Sequence, residues 1–151
     1  KETTEQLTDE LLSEDENKYH AFLILDVDCF KQINDIYGHA VGDIVLQKFG
    51  KLLKGTFREG DILGRIGGDE FGVIMKNIQT KDIAMKKAEE LLAKTQAYKI
   101  DELKGNNISI SIGISTAPQD GDCYMDLYKR ADQALYQAKR SGKARVCNYF
   151  S

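Results

Sequence analysis

The segment Gly67-Gly68-Asp69-Glu70 restricts the fold more than any other part of the chain, because it lies between two short apolar runs, residues 62–66 and 71–75. Both runs have the composition of strands, and the glycines supply a turn that tolerates positive φ, so the segment predicts a β-hairpin. A turn that only reverses the chain does not need two adjacent carboxylates, which repel each other unless a cation or solvent screens them. The cation that suits them is a hard divalent metal.

A second acidic segment lies upstream, where the apolar run 21–25 ends in Asp26-Val27-Asp28. Uninterrupted hydrophobicity predicts a strand covered on both faces, and ligands often gather at strand ends in α/β sheets. If this strand lies beside the hairpin, Asp26 and Asp69 converge on one site. Either acidic pair alone is better explained as a solvated turn or a helix cap, since Asp and Gly dominate ordinary turns. The two pairs together favour a metal site.

Three blocks of sequence, residues 25–43, 67–71 and 131–143, together resemble the GGDEF-domain diguanylate cyclases, named for the letters at residues 67–71. One five-letter match would be weak, but three blocks in this order and spacing are specific, and the resemblance runs from about residue 22 to the C-terminus. The family condenses two GTP molecules into cyclic di-GMP and releases pyrophosphate. The resemblance therefore implies GTP, cyclic di-GMP and an antiparallel homodimer, in which each 3′-hydroxyl attacks the α-phosphate of the other nucleotide.

The resemblance also implies roles for the acidic residues. Asp26, the backbone carbonyl of Val27 and Asp69 would hold Mg²⁺ or Mn²⁺, which neutralises phosphate charge. Asp69 or Glu70 would help to deprotonate the attacking hydroxyl. The sequence does not separate metal ligand from base, because a carboxylate beside the metal can serve as either.

Asn34 and Asp43 occupy the positions that bind guanine in the family. Asp43 would favour guanine over adenine, because adenine lacks the paired hydrogen-bond donors of the guanine edge. His39 lies between them and would line the same pocket. The alternative for Asn34 and Asp43 is helix capping around the Tyr37-Gly38 break, and for His39 a structural role.

Phosphate contacts are implied for Lys139 and Lys143, which are four residues apart near the end of a predicted helix, just before and after its closing Gly142. The alternative is a favourable interaction of these cations with the helix macrodipole. The turn at residues 29–31, which includes Phe30 and Lys31, would add backbone N–H donors. Gly67 and Gly68 would let substrate approach the backbone closely.

The motif Arg58-Glu59-Gly60-Asp61 is an R-x-x-D placed shortly before the hairpin turn. Family members with this motif bind their own product there and are inhibited by it, so Arg58 and Asp61 form a candidate inhibitory product site. The alternative is a simple surface ion pair.

Composition adds a few exclusions. The 151 residues carry 21 Lys plus Arg against 24 Asp plus Glu, a net charge of −3, which argues against a nucleic-acid-binding surface and a template-directed nucleotidyl transferase. Cys29, Cys123 and Cys147 lack metal-binding spacing, and no apolar run approaches the roughly 20 residues of a membrane span, so we expect reduced thiols and a cytoplasmic location. We expect residues 1–151 to form one GGDEF domain of a longer sensor protein, whose N-terminal sensory or receiver region is missing here.

Periodicity alone indicates a mixture of α and β. It predicts strands at residues 22–27, 62–66, 71–75, 108–112 and 144–149, and helices at residues 30–37, 41–57, 84–95 and 124–141. The alternation of Ile and Ser over residues 108–112 predicts a strand with one polar face. The resemblance implies an α+β fold, with a mostly antiparallel five-stranded sheet flanked by helices around a ferredoxin-like palm. The competing function is a catalytically silent module that binds GTP or cyclic di-GMP.

Overall fold

The computed structural model describes residues 4–14 and 19–149. The predicted domain limits, 1–151, therefore include a few residues that lie outside the described ranges. Within those ranges, no helix is both long enough and apolar enough to cross a membrane. Cys29, Cys123 and Cys147 are free thiols.

A five-stranded sheet forms the centre of the fold, with strand order β2-β3-β1-β4-β5. The elements along the chain are α1 (Thr4–Glu14), β1 (Tyr19–Val27), α2 (Phe30–Tyr37), α3 (His39–Thr56), β2 (Ile62–Gly67), β3 (Glu70–Ile78), α4 (Asp82–Ala97), a 3₁₀ turn (Asp101–Leu103), β4 (Ile110–Ala117), α5 (Tyr124–Arg140) and β5 (Val146–Asn148). All neighbouring strands are antiparallel except β4 and β5. The predicted α+β fold with a mostly antiparallel sheet is confirmed.

The central strand β1 is buried from His20 to Val27 and pairs with β3 on one side and β4 on the other. Its side chains alternate between two apolar cores. Phe22 and Ile24 pack in one core with residues of α5. Leu23 and Leu25 belong to the other, which contains residues of α3 and α4. Both faces of β1 are therefore covered, as its uninterrupted apolar sequence predicts.

Helix α5 lies directly on β4 at Gly113. A Cβ atom at Gly113 would lie 2.2 Å from the Ala131 carbonyl oxygen and 2.3 Å from the Leu135 nitrogen, both backbone atoms of α5. A side chain has no room there, and the helix backbone approaches the sheet more closely than it otherwise could. This contact fixes the distance between α5 and the sheet.

The bounds of one predicted strand are wrong. Strand β4 starts at Ile110 and continues to Ala117 instead of covering residues 108–112, and every one of its residues is buried. The serines bond inside the protein: the Ser111 hydroxyl donates to Asp28 at 2.6 Å, and the Ser115 hydroxyl donates to the Leu127 carbonyl at 2.8 Å. Burial of these small hydroxyls is tolerated because each has a partner. Helix α1 is an addition to the predicted elements.

We predict that Gly113→Ala destabilises the protein, because the added methyl group collides with the backbone of α5. Overpacking typically costs about 1–3 kcal/mol of unfolding free energy, and immobile backbone neighbours place this site at the upper end. The measurement is chemical denaturation. Gly55→Ala is the matched control, since Gly55 lies within α3 with nothing within 4 Å of an added Cβ, and it should gain roughly 0.5–1 kcal/mol. If both substitutions change the free energy of unfolding equally, the close packing of α5 on Gly113 is contradicted.

Candidate active site

The candidate site lies where β1 ends beside the hairpin of β2 and β3. In the antiparallel register, Asp26 stands opposite Glu70, and the hairpin loop between Gly67 and Glu70 consists of Gly68 and Asp69. The Arg65 Nε group donates to the Gly68 carbonyl at 2.8 Å and so fastens the turn. The hairpin is therefore present as the sequence predicts.

Asp26 and Asp69 converge, as expected if β1 lies beside the hairpin. Their carboxyl groups are close enough to interact. Asp26 is buried, and burial together with the neighbouring Asp69 carboxyl group raises its pKa to about 7, although Lys139 acts in the opposite direction. Two carboxyl groups held this close favour either a shared proton or a cation.

The two oxygens of Asp26 have different surroundings. Oδ2 accepts a hydrogen bond from the Lys139 ammonium group, which forms an ion pair with it. Oδ1 is buried and has no hydrogen-bond partner among the described residues. A buried oxygen without a partner is costly, and a cation would relieve the cost. Asp26 Oδ1 and the Asp69 carboxylate are hard donors of the kind that Mg²⁺ and Mn²⁺ take, and Val27, whose carbonyl is the third predicted ligand, is the last residue of β1.

Asp28 has a structural task, unlike Asp26. It is buried and accepts hydrogen bonds from the hydroxyls of Ser109 and Ser111 and from the Ala144 backbone nitrogen, the last at 3.0 Å. Ala144 and the preceding Lys143 both have positive φ, 51° and 63°. Asp28 therefore ties the loop that follows α5 to the end of the sheet.

The hydrogen bond between Asp28 and the loop after α5 brings the predicted phosphate-binding groups together. The Lys143 ammonium group lies 3.3 Å from the Cys29 sulfur, at the start of α2. Phe30 and Lys31 belong to the first turn of α2, where backbone N–H groups have no partner within the helix. Lys139 lies nearby on the last turn of α5, against Asp26. Two cations and the N-terminus of α2 thus lie at this end of the sheet, and such groups can bind phosphates.

The residues predicted to contact guanine lie on α2 and α3, near the junction of these helices. Asn34 packs against Gly42, where an added Cβ would lie only 1.9 Å from Asn34 Oδ1, and Asp43 is the next residue along α3. Neither helix has a side-chain cap at its N-terminus, and the Gly38 nitrogen bonds the backbone carbonyl of Asn34. The capping interpretation of Asn34 and Asp43 therefore has no support. His39 is the exposed first residue of α3.

A cleft of about 360 Å³ opens beside Asp43, and it includes residues that the sequence does not single out. It is lined by Asp43, Leu46, Gln47, Arg65 and Phe71. Its volume lies within the range of small-molecule sites. The spacing of Leu46 and Gln47 from Asp43, three and four residues along a helix, is the signal that could have indicated them.

Arg58 and Asp61 lie at the opposite end of β2 from the Gly67-Gly68 turn. The guanidinium group of Arg58 bonds Asp61 at 2.9 Å and the Lys76 carbonyl at 2.6 Å. The Asp61 side chain is 0% exposed, whereas that of Arg58 is 52% exposed. The ion pair named as the alternative is thus present, and it borders a cleft of about 230 Å³ that Gly60 and Asn77 also line.

The family model described as diguanylate cyclase, GGDEF domain, matches residues 1–145. The chain belongs to the GGDEF family. Among curated relatives of this GGDEF domain, diguanylate cyclase A of Treponema denticola is 40% identical over 127 residues, which are 83% of this chain and 34% of that protein. The domain thus spans about a third of the length of the curated relatives that it matches first.

Solved structures agree with this GGDEF assignment. The GGDEF domain of TpbB from Pseudomonas aeruginosa has a TM-score of 0.92 at 32% identity, and the match covers 97% of this chain and 93% of that one. The GGDEF domain of DgcB from Caulobacter crescentus, solved in complex with c-di-GMP, has a TM-score of 0.84 at 26% identity, and the match covers 94% and 85%.

Two contacts of this GGDEF domain are absent from the sequence prediction, and both come from α5. The Tyr128 hydroxyl donates to Glu70 Oε1 at 2.9 Å, and burial raises the pKa of that hydroxyl, so it remains protonated at neutral pH. Lys139 bonds Asp26, although the sequence suggests only a phosphate contact for it. Tyr128 and Lys139 are eleven residues apart, about three helical turns, and so share one face of α5.

We predict that Asp26→Asn stabilises the metal-free protein more at pH 8 than at pH 5. The Asp26 pKa is about 7 in the folded protein against 3.8 in the unfolded chain, so the folded state holds a proton that the unfolded state has lost. The free energy of unfolding of the wild type therefore falls as pH rises from about 4 to about 7. The asparagine of the variant has no proton to lose, so the variant does not show this fall. The measurement is the difference in Tm between variant and wild type at both pH values, in the presence of EDTA.

Asp82→Asn is the control for this prediction. Asp82 is exposed, and hydrogen bonds from Thr80 and Lys86 lower its pKa, so it stays ionised throughout this pH range. Its Tm difference should not change between pH 5 and pH 8. If the Tm gain of Asp26→Asn over wild type is the same at both pH values, or smaller at pH 8, the raised pKa of Asp26 is contradicted.

Proposed function

We propose that this domain condenses two molecules of GTP into cyclic di-GMP and pyrophosphate, acting as a homodimer in which each copy holds one GTP. The observation that supports the proposal most strongly is the meeting of Asp26 and Asp69 beside Lys139, with an Asp26 oxygen left buried and unpaired. This combination offers hard ligands for a cation and a positive charge for phosphates at one point.

The ion that suits these ligands is Mg²⁺ or Mn²⁺, held by Asp26, the Val27 carbonyl and Asp69. Bound there, it would neutralise the charge that develops on the α-phosphate. We place the domain in the cytoplasm, where reducing conditions would keep its three free thiols intact.

The triphosphate would be bound by the chain's own cations and amides. Lys143 and the first-turn amides of Phe30 and Lys31 lie together at the start of α2, and Lys139 stands next to Asp26. Gly67 and Gly68 have open space within 4 Å of where a Cβ would be, so the turn leaves room for substrate to approach its backbone.

Asn34 and Asp43 would select guanine. An ionised Asp43 accepts hydrogen bonds only, so it complements the N1–H and 2-amino donors of guanine, and adenine does not present that pair. Asn34 would contact the same base from α2, and His39 would line the pocket. The cleft beside Asp43 supports this assignment, because it offers space for a base next to that carboxylate.

The reaction itself joins two nucleotides. The 3′-oxygen of one GTP forms a bond with the α-phosphorus of the other, the bond from that phosphorus to the oxygen bridging to the β-phosphate breaks, and pyrophosphate leaves. The same step in the opposite direction forms the second phosphodiester bond, closes the ring and releases a second pyrophosphate. Asp69 or Glu70 would take the proton from the attacking hydroxyl. Because one domain holds one GTP, product forms only when two active sites face each other.

Product inhibition is the second part of the proposal. Asp61 is buried and holds Arg58 in place, while the half-exposed guanidinium group faces solvent at its cleft. A guanidinium group fixed in this way is suited to a phosphate or to stacking on a guanine base. The site lies at the far end of β2, so product would act there without occupying the catalytic carboxylates.

We predict that the wild-type protein, fused to a leucine zipper that forces pairing, converts GTP to cyclic di-GMP in the presence of Mg²⁺. The measurement is the amount of cyclic di-GMP, determined by mass spectrometry. Asp69→Asn in the same fusion should lose more than about 100-fold in rate, because metal-assisted charge stabilisation contributes several kcal/mol. Asp82→Asn is the control and should match wild type.

Wild-type rates in the Asp69→Asn fusion would contradict the assignment of Asp69. If the wild-type fusion binds GTP or cyclic di-GMP and makes no product, the domain is a silent binding module and the proposed enzyme is wrong.

We predict that Arg58→Ala leaves the initial rate within about twofold and raises the concentration of cyclic di-GMP needed for half inhibition at least tenfold, since a phosphate clamp is worth about 1.5–3 kcal/mol. Arg58→Lys should restore inhibition only in part, because Lys lacks the planar fork of Arg. Lys51→Ala, an exposed change on α3, controls for net charge. If cyclic di-GMP inhibits Arg58→Ala as strongly as wild type, the inhibitory product site is contradicted, and Arg58 is only the ion-pair partner of Asp61.

A further inference from the structure

Tyr128 lies on the face of α5 that covers the sheet, and its hydroxyl donates a hydrogen bond to Glu70 Oε1 at 2.9 Å. We propose that Tyr128 is a positioning residue for the reaction, which holds the Glu70 carboxylate on the same side of the sheet as Asp26. The inference rests on the proposed cyclase function, and it assigns a task to a residue that touches neither nucleotide nor metal.

Glu70 needs such support because of where it stands. It is the first residue of β3, directly after the Gly68-Asp69 loop, and it is only half-buried. A glutamate side chain has three rotatable torsions, so a carboxylate without a partner samples several positions. Catalysis is sensitive to such freedom, since a misplacement of about 1 Å can cost 10²-fold in rate.

Tyr128 is itself held firmly enough to serve this purpose. Its ring lies 6.2 Å from the ring of Phe22 on β1 and 5.9 Å from the ring of Tyr124, one turn earlier on α5. Helix α5 in turn lies directly on β4 at Gly113. The hydroxyl is therefore carried by a packed ring on a fixed helix, and its single bond to Oε1 leaves Oε2 of Glu70 for a second interaction.

The same helix face holds the neighbouring carboxylate. Lys139, three turns after Tyr128, bonds Asp26, and Asp26 is the cross-strand partner of Glu70. Helix α5 thus contacts two adjacent carboxylates of the site, one through a neutral donor and one through a cation. The neutral donor suits Glu70, because it orients the carboxylate without adding a competing positive charge.

The test compares Tyr128→Phe with Tyr124→Phe in the zipper-paired protein. Both changes remove one hydroxyl and keep the ring, and both rings pack on Phe22. We expect Tyr128→Phe to lower kcat at least tenfold and leave KM for GTP within about twofold, because guanine and phosphate contacts lie elsewhere. Tyr124→Phe should change neither. A hydrogen bond that is merely structural would lower Tm in Tyr128→Phe without changing kcat, and that result would overturn the proposal.

A second measurement does not depend on turnover. In a crystal structure of metal-free Tyr128→Phe, the Glu70 carboxylate should move by more than 1 Å or lose its density, whereas Asp26 and Lys139 keep their contact. An unmoved Glu70 would overturn the proposal. If wild type shows no turnover at all, the proposed function fails, and the position of Glu70 alone then decides whether Tyr128 positions it.

Discussion

The backbone hydrogen bonds between β1 and β3 place Asp26 opposite Glu70, and the composition of the candidate site depends on that register. A slip of one residue would turn Asp26 to the other face of the sheet and away from the hairpin, because side chains alternate along a strand. Two features hold the register. The apolar residues of β1 fill a core on each face, and the two-residue loop of Gly68 and Asp69 leaves β3 little freedom to shift along β2.

Gathering carboxylates at one end of a sheet has an energetic cost that this protein partly offsets. Asp26 is buried next to Asp69, and its Oδ1 atom has no partner among the described residues. The ion pair with Lys139 compensates one oxygen and leaves the other available. Such incomplete satisfaction is a common property of functional sites, where stability is traded for the ability to bind a ligand. Helix α5 supplies the compensation, which explains why its contact with the sheet matters beyond packing.

Local sequence signals predicted much of this arrangement. The glycines at 67–68 between apolar runs predicted the hairpin, and the acidic end of an apolar strand predicted that Asp26 and Asp69 would meet. Alternation could not show that Ser111 faces a buried carboxylate rather than water, because both environments satisfy a small hydroxyl. The contact of Tyr128 with Glu70 joins residues 58 positions apart, and no local pattern carries that information.

The most direct test of the account is the location of a bound cation. Crystals of the domain grown with Mn²⁺ and a non-hydrolysable GTP analogue would show the ion by its anomalous diffraction. We expect a peak at coordination distance from Asp26 Oδ1 and Asp69, with the Lys139 ammonium group directed to the nucleotide phosphates. A peak elsewhere would contradict the proposed metal site. So would a nucleotide-bound structure in which Asp26 is still paired with Lys139 and makes no metal contact.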